Sequence, residues 1–389
     1  MKICIVTEYY YPLLGGISEH VHNTAVQLLQ MGHEVWIITS NQTRKEANER
    51  YWPDNSPFKI VRLGRSWGAP WNGSVTNVTL GFKQMVLDMR GVMVREQFDI
   101  VHVHSPVVPT LPPIGILASP GPSVATFHSS FGHSKIFWVL RHVLQKHFLD
   151  KLDGQIAVSQ SCLRALEPYF RLNARVIPNG IDLEMFSPAA PRLPKYDESK
   201  LTLLFLSRLE PRNGLDLMLQ SFEIVRRQRS DVRLVVVGDG PRRAEYQAKV
   251  PAAYAKDVDF VGPVLDERAS YYRTADIYCA PISKASFGMT LLESMACGTP
   301  IVATENDGYL DLLGPEEGVM VPHGDPQHFA DAILPLLADK DLRARLGRGG
   351  IAKAATYAWS KVTEQVVAYY EEILRRPARV RGAPVDGHA

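Results

Sequence analysis

The chain has 389 residues, and at roughly 100 to 200 residues per domain this length predicts about two domains, each with its own core. Hydrophobic residues make up 46% and charged residues 22%, a composition that excludes a disordered or fibrous protein. The 43 Lys and Arg residues nearly balance the 41 Asp and Glu residues. The net charge of +2 therefore gives no argument for nucleic-acid binding and leaves any attraction to anions to local patches.

Short apolar runs rich in β-branched residues recur along the chain, and amphipathic stretches separate them. This alternation predicts βαβ units on a parallel sheet. One amphipathic stretch, residues 18–31, precedes Gly32, where a glycine is expected to cap the helix. The strands predicted in the first half are residues 3–7, 35–39, 100–103, 124–126 and 155–158. A second series is predicted at residues 201–207, 232–238, 259–262, 277–280, 301–304 and 318–321.

A segment rich in proline and charge separates the two series and predicts a linker. We therefore expect an α/β protein with two Rossmann-like, doubly wound domains, over residues 1–187 and 201–358, joined by residues 188–200. The domains are expected to face each other across a cleft, with ligands at the carboxyl ends of the strands. Residues 359–389 predict a C-terminal helix, a candidate to pack back on the first domain, and a basic tail.

The cysteines and the apolar runs bear on the cellular compartment. No short paired spacing of the kind found in zinc sites or redox dithiols occurs, so reduced thiols are expected at Cys4, Cys162, Cys279 and Cys297. The N-terminal apolar run is too short for a signal peptide, and no stretch approaches the roughly 20 apolar residues that cross a bilayer. We expect a cytoplasmic protein that would meet a membrane only at its surface.

Several motifs in a fixed order identify a family. Gly15 and Gly16 follow the first strand and precede a helix, where a backbone can approach a phosphate closely. The second half carries FLSRLEPRNG from residue 205, VVVGDGPRR from 235, ADIYCAPISKASFGMTLLESMACGTPIVAT from 275 and VMVPHGDP from 319. Together these segments resemble the retaining GT-B glycosyltransferases of family four, over nearly the whole chain.

The first half is most similar to the bacterial phosphatidylinositol mannosyltransferases of that family. The segments behind this narrower resemblance are GGISEHV, PWNGSV, VATFHSS and VIPNGIDLEMF. The resemblance implies transfer of a hexosyl group, with mannose from GDP-mannose as first choice, to a polyol lipid or a glycan with retention. Two alternatives remain open: a UDP-sugar-dependent transferase with a soluble or polysaccharide acceptor, and a catalytically weakened relative that binds nucleotide sugars.

The resemblance also implies the donor site. Negative charge builds on the departing phosphate, so cationic and amide donors are needed around the diphosphate. Matching positions are Arg208, with Arg212 as a further source of charge, and the loop that enters a helix at Phe287, Gly288, Met289 and Thr290; Glu293 matches the ribose-binding glutamate. Two positions depart from the family: Asn213 replaces a lysine, and Ala285 replaces a glutamate that binds the donor sugar.

In the family, the histidine that matches His128 contacts the transferring sugar. Tyr9, Asn72 and Ser74 match positions near a polyol acceptor, and neutral hydroxyl and amide groups suit an inositol ring. Here too the chain departs from the family, because Asn77 and His133 replace cations. No cofactor and no metal are expected, since the family needs none and the Asp257 and Asp259 pair precedes an ordinary strand.

Residues 131–152 predict an amphipathic helix with a broad apolar arc. Trp138 lies among its polar residues. A tryptophan beside basic groups is typical of helices that lie in lipid headgroups, so Lys135, Trp138, Arg141 and Lys146 are candidates for contact with an anionic membrane surface. A half-buried domain helix is the alternative.

Overall fold

The computed structural model describes residues 1–13, 15–41, 56–71, 74–80, 82–108, 110–128 and 134–377, with the backbone alone for residues 65–71, 74–80 and 82. The chain divides into two compact units. The first comprises Met1–Pro178 together with the chain from Trp359 onward, and the second comprises Asn179–Ala358.

The second unit begins at Asn179, so the predicted end of the first domain at residue 187 was too late. Residues 188–200 belong to the second unit and are not a linker. Tyr196 is buried in its core, and the Leu193 amide donates a hydrogen bond of 2.8 Å to Thr274 Oγ1. The prolines that suggested a linker also suit an extended segment bound along a domain surface, because proline disfavours only the interiors of helices and sheets.

An eight-stranded sheet forms the centre of the first unit. Its strands are β1 (Lys2–Val6), β2 (Glu34–Asn41), β3 (Lys59–Trp71), β4 (Ser74–Leu80), β5 (Ile100–His104), β6 (Ser123–Phe127), β7 (Gly154–Ala157) and β8 (Arg175–Val176). The spatial order is β4-β3-β2-β1-β5-β6-β7-β8, and all neighbours are parallel except the antiparallel pair β3 and β4. Strands β1, β5 and β6 are almost entirely buried, as expected for parallel strands covered on both faces.

Helices cover this sheet, and the first of them ends as predicted. They are α1 (Gly16–Gln30), α2 (Phe82–Glu96), α3 (Leu111–Ala118), α4 (Lys135–His147) and α5 (Gln160–Leu166). Beyond α1, Gly32 has a φ of 82°, and the His33 amide donates to the Leu28 carbonyl at 3.0 Å. This Schellman motif confirms the glycine cap.

All strands predicted in the first half are present, but the β3–β4 hairpin was missed. Neither strand is a continuous apolar run: β3 reads KIVRLGRSWGAPW and β4 reads SVTNVTL. An antiparallel edge hairpin need not be buried on both faces, so it lacks the apolar run that marks a central parallel strand.

The second unit is built on a parallel sheet of six strands, all of which were predicted. They are β9 (Leu201–Leu206), β10 (Val232–Val237), β11 (Val258–Gly262), β12 (Ile277–Ala280), β13 (Ile301–Thr304) and β14 (Gly318–Val321), in the order β11-β10-β9-β12-β13-β14. The helices are α6 (Leu215–Gln228), α7 (Arg243–Ala248), α8 (Arg268–Thr274), α9 (Met289–Ala296), α10 (Asp307–Leu310), α11 (Pro326–Ala338) and α12 (Lys340–Ala354).

The last helix, α13 (Trp359–Arg375), packs in the first unit. Its apolar face joins the core cluster formed by inward side chains of β1, β2 and β5 to β7. The helix comes very close to the sheet at Gly154, where a Cβ atom would lie 2.4 Å from Ile373 Cδ1. No helix in the described ranges is both long and apolar enough to cross a lipid bilayer.

Gly214 precedes α6 and generates a prediction about stability. Its φ is 78°, and a Cβ atom there would lie 1.9 Å from the Pro281 carbonyl oxygen. Gly324, in the same unit, also has a positive φ, of 108°, but a Cβ there would meet no atom of the described residues within 4 Å. Gly324→Ala therefore tests the backbone cost alone, about 1–2 kcal/mol. We expect Gly214→Ala to lower the free energy of unfolding by more, measured by urea denaturation. Equal losses would show that the Pro281 contact relaxes without cost.

Candidate active site

Histidines from three elements meet at the carboxyl end of the first sheet. His20 lies on α1, His104 ends β5, and His128 directly follows β6. The ring centroids of His20 and His128 are 4.7 Å apart, and those of His104 and His128 are 5.1 Å apart. His102 shares a face of β5 with His104 because side chains two residues apart on a strand point the same way. Of these residues, only His128 was predicted from the sequence, although the VHVH pattern at the end of a strand was a usable signal.

Hydrogen bonds fix these rings. His104 Nδ1 and His128 Nε2 are 2.8 Å apart. His102 is hydrogen-bonded through Nδ1 to the Tyr370 hydroxyl at 2.5 Å and through Nε2 to Thr126 Oγ1 at 2.7 Å. Tyr370 comes from α13, so the C-terminal helix contributes directly to the order of this cluster.

Three of these histidines, His102, His104 and His128, are uncharged at neutral pH. Burial, reinforced by the neighbouring histidines, holds the pKa of His104 and of His128 well below the usual histidine range. Burial also lowers the pKa of His102, to about 3, with a smaller contribution from His20. A neutral imidazole has one donor and one acceptor nitrogen, so His128 is suited to hydrogen-bonding a hydroxyl group rather than to pairing with a charge.

Gly15 caps α1 and Gly16 is its first residue, and neither position requires a glycine among the described residues. Gly15 has the extended φ of 165°, and no described atom lies within 4 Å of a Cβ placed on Gly15 or Gly16. A tight turn would instead show a positive φ or a close neighbour. The open space leaves the start of α1 approachable, one helical turn from His20.

The three predicted acceptor residues are described to different degrees. Tyr9 follows β1, and its backbone amide donates a hydrogen bond of 3.1 Å to Thr7 Oγ1. Ser74 begins β4, but its side chain, like that of Asn77, is not described. Asn72 and His133 lie outside the described residues. Tyr9 follows β1 and His128 follows β6. Only β5 lies between these two strands, so the strand ends are about 10 Å apart across the sheet.

In the second unit, two arginines share one carboxylate beyond the end of β9. Arg208 lies 3.2 Å from Glu210 Oε1, and Arg212 Nε donates to Glu210 Oε2 at 2.9 Å. The Arg208 side chain remains 59% exposed, so it can reach a ligand. Asn213, where the family has a lysine, is buried and donates from Nδ2 to the Arg208 carbonyl at 2.7 Å. It therefore orders the arginine loop but supplies no charge.

The predicted amide loop enters α9 as expected from the sequence. Gly288 caps the helix with a φ of 119°, and Phe287 beside it is buried. Met289 and Thr290 are the first two helical residues, whose amides have no partner within a helix and carry the positive end of its dipole. Ala285, upstream in this loop, has only a methyl group where the family has an acceptor.

Glu293, the predicted ribose ligand, is 1% exposed and already has protein partners. Its Oε2 accepts a hydrogen bond of 2.9 Å from the Tyr272 hydroxyl, and its Oε1 lies 3.0 Å from Arg268. Burial and this carboxylate raise the pKa of Tyr272 well above its usual value. A ribose contact of Glu293 would have to form beside these protein partners. That role stays a prediction.

The carboxylates of the DVD segment are occupied by other groups. Asp257 pairs with Lys200 and Arg226, and Asp259 accepts a hydrogen bond of 2.5 Å from the Tyr196 hydroxyl. These contacts are those of structural ion pairs and hydrogen bonds.

Helix α4 is docked by one face and exposed by another. Phe137 and Leu144 are buried, and Phe137 packs against Tyr169 and Phe170. The remaining large apolar side chains on the helix are exposed: Ile136 40%, Trp138 61%, Val139 67%, Leu140 36% and Val143 52%. The predicted apolar arc is thus split between an inner and an outer stripe. Trp138 stacks on Arg141, at 4.4 Å from the ring centroid, on a different side from Val139 and Val143.

The buried contact of Glu293 generates a prediction. Arg268→Met would leave this carboxylate without its cation, and we expect the second unit to lose about 3–5 kcal/mol of unfolding free energy. The matched control is Arg227→Met, which removes a pair with Glu223 whose side chains are 66% and 34% exposed; its expected cost is about 0.3–0.5 kcal/mol. Native-state hydrogen exchange of the second unit measures both. Similar losses would contradict a special role for the Glu293 network.

Comparison with known proteins places this arrangement in a family. Residues 14–185 match the family model described as Glycosyltransferase Family 4, and residues 200–339 match the model described as Glycosyl transferases group 1. A phosphatidyl-myo-inositol mannosyltransferase of Mycobacterium leprae is 34% identical over 389 residues, covering 98% of this chain and all of the relative.

A more distant relative and a solved structure are also similar to this chain. The phosphatidylinositol N-acetylglucosaminyltransferase GPI3 subunit of Saccharomyces cerevisiae is 25% identical, over 96% of this chain and 83% of the relative. The structure of Anabaena HepE in complex with UDP and glucose superposes with a TM-score of 0.74 at 17% identity, covering 95% of this chain and 99% of that one, a likeness of fold alone. The chain therefore belongs to glycosyltransferase family 4, and its two parallel-sheet units form a GT-B fold.

Proposed function

We propose that this glycosyltransferase moves a mannosyl group from GDP-mannose to phosphatidylinositol or a similar polyol lipid, with retention, at the cytoplasmic face of a membrane. The observation that carries the proposal is the similarity to the Mycobacterium leprae mannosyltransferase, which extends over 98% of this chain and all of the relative. A match confined to one unit would support only one substrate, either the nucleotide-sugar donor or the acceptor. This match covers both units.

The residues of the second unit support a diphosphate donor. Arg208 and Arg212 carry two positive charges and Glu210 one negative charge, which leaves one net positive charge in the loop after β9. The Met289 and Thr290 amides add the dipole of α9. These donors meet the charge that develops on the leaving phosphate, so we propose that transfer needs no metal and no cofactor.

His128 supports the sugar end of the reaction. Its imidazole is neutral, it is hydrogen-bonded to His104, and it packs edge-on against the ring of His20 near the first residues of α1. In this proposal it binds a hydroxyl group of the transferring sugar as that sugar separates from the phosphate. A fixed, neutral donor and acceptor fits this task, since the ring needs no reorientation during transfer.

Two departures support a second candidate, a transferase that uses a UDP-sugar. Ala285 removes an acceptor that the family uses for the donor sugar, and Asn213 removes a cation. The Anabaena structure with UDP and glucose shows that this fold accommodates such a ligand. The same departures would also suit a relative that binds nucleotide sugars with little turnover.

The outer face of α4 supports contact with an anionic membrane. Val139, Val143 and Ile136 form an exposed apolar stripe, and Lys135 and Lys146 are exposed beside it. No acidic residue occurs between residues 134 and 149. An apolar stripe flanked by basic residues is the pattern of helices that lie in the plane of a membrane interface.

The proposed reaction is tested by measuring release of GDP or UDP from GDP-mannose, UDP-glucose and UDP-N-acetylglucosamine, with and without phosphatidylinositol vesicles. We expect release only from GDP-mannose with vesicles. His128→Ala should lower turnover about 100-fold or more while donor binding persists. His328→Ala, an exposed histidine on α11, is the matched control and should behave as the parent protein.

The other outcomes separate the candidates. Release from a UDP-sugar without vesicles would favour the second candidate, and binding without release would favour the weakened relative. Retained turnover in His128→Ala would contradict the role of this residue. The anomeric configuration of the product, read by NMR, tests retention.

Membrane contact is tested by flotation with anionic and with neutral vesicles. Replacing Val139 and Val143 together by serine removes apolar surface that would enter the interface, and we expect at least about tenfold weaker binding to anionic vesicles. Leu310→Ser is the control, since Leu310 is 56% exposed but lies beside Asp307 and Asp311. Equal binding by both variants would exclude the outer stripe of α4 as the contact.

A further inference from the structure

Three imidazole rings in the first unit converge on one point. One nitrogen each from His20, His104 and His128 lies within 4.8 Å of the other two. The three rings come from α1, β5 and the residue after β6, and neighbouring core residues hold them in place. His20 packs edge-on against Trp359, with ring centroids 5.2 Å apart. Convergence of three ligand-type side chains from separate elements is the usual construction of a metal site in a protein.

One buried ring nitrogen of the cluster has no hydrogen-bond partner in the described part of the chain. His102 uses both of its ring nitrogens, on Tyr370 and Thr126. His104 uses Nδ1 on His128, but His104 Nε2 is buried and has no hydrogen-bond partner among the described residues. His104 is only 1% exposed. A buried, unsatisfied nitrogen costs about 1–3 kcal/mol and calls for an explanation such as a bound ion.

The type of ligand atom favours a transition metal. The convergent group contains imidazole nitrogens alone. Nitrogen ligands favour Zn²⁺, Ni²⁺ or Cu²⁺, whereas Mg²⁺ and Ca²⁺ require oxygen ligands.

The dimensions require only a small closure. Zn²⁺ binds histidine nitrogens at about 2.0–2.1 Å, which places tetrahedral ligand atoms about 3.3 Å apart. The present separations of up to 4.8 Å therefore need side-chain rotations of the order of 1 Å at each ring.

We propose that His20, His104 and His128 form a binding site for Zn²⁺ or a similar transition-metal ion, with a fourth position open to water. The ion acts as an inhibitor, because a metal-bound His128 is not free to bind the transferring sugar. The binding site rests on the geometry of the cluster alone, whereas the inhibition also rests on the proposed function of His128. Three protein ligands with a fourth position left to water is also the ligand count of catalytic zinc sites.

The binding site is tested on the full chain after treatment with a chelator. Zn²⁺ is titrated by calorimetry, and Co²⁺ is titrated by its visible absorption, which reports tetrahedral coordination. We expect one ion per chain in the parent protein. His20→Gln and His104→Gln should weaken binding at least tenfold, and His328→Gln, the exposed control on α11, should leave it unchanged. Absence of a stoichiometric site, or equal binding in His20→Gln, would overturn the proposal.

A second measurement keeps the test independent of how well the variants fold. X-ray absorption of the Zn²⁺-loaded parent protein counts imidazole ligands directly, and three are expected. One imidazole ligand, or none, would place the ion elsewhere and overturn the site.

Inhibition is measured separately on the donor that the parent protein turns over. Stoichiometric Zn²⁺ should abolish most of the turnover, and a chelator should restore it. Full activity in the presence of bound Zn²⁺ would overturn the inhibitory role while leaving the site in place. If no donor is turned over at all, the proposed function fails, and the binding and X-ray absorption results still decide the metal site.

Discussion

The burial of α13 against the first sheet is the interaction on which the candidate sugar site depends. Six apolar or aromatic side chains of this helix are buried in the core that the first strands form. Burial of each such side chain is worth about 1.5–3 kcal/mol, so the helix is firmly held. Its rigid attachment fixes the Tyr370 hydroxyl on His102 and the Trp359 ring against His20. The histidine cluster is thus ordered from two sides, by the strand ends and by the C-terminal helix.

The candidate donor site in the second unit is ordered in a different way, by polar groups with more than one partner. Glu210 joins two arginines, and Asn213 ties their loop to the Arg208 carbonyl. Glu293 is held by a cation and a hydroxyl group. Ala285 and Asn213 stand where the resemblance implies a glutamate and a lysine, so the chemistry that these loops offer to a ligand differs from the family's pattern.

Much of the fold could be predicted because parallel strands covered on both faces are continuous apolar runs, and all eleven strands predicted in this way exist. The β3–β4 hairpin escaped prediction because its strands alternate apolar, polar and glycine residues. The arginine and amide loops followed from motifs. The histidine cluster did not, because convergence of His20 on His128 depends on how α1 lies over the strand ends, which no local pattern in one chain encodes. The boundary between the two units was misplaced because a proline-rich segment can pack along a domain surface as readily as it can form a linker.

The path of the chain adds a constraint on biosynthesis. The first unit is discontinuous, since its last helix is separated from the rest by the whole second unit. A ribosome that has made residues 1–178 has therefore made a sheet whose α13-facing side chains still lack their cover. That apolar surface stays open to water, or to a chaperone, until the final residues leave the ribosome, because domains otherwise fold in the order of synthesis. A protein cut short before residue 359 would lack the Tyr370 and Trp359 contacts of the histidine cluster even if every strand of both sheets were intact.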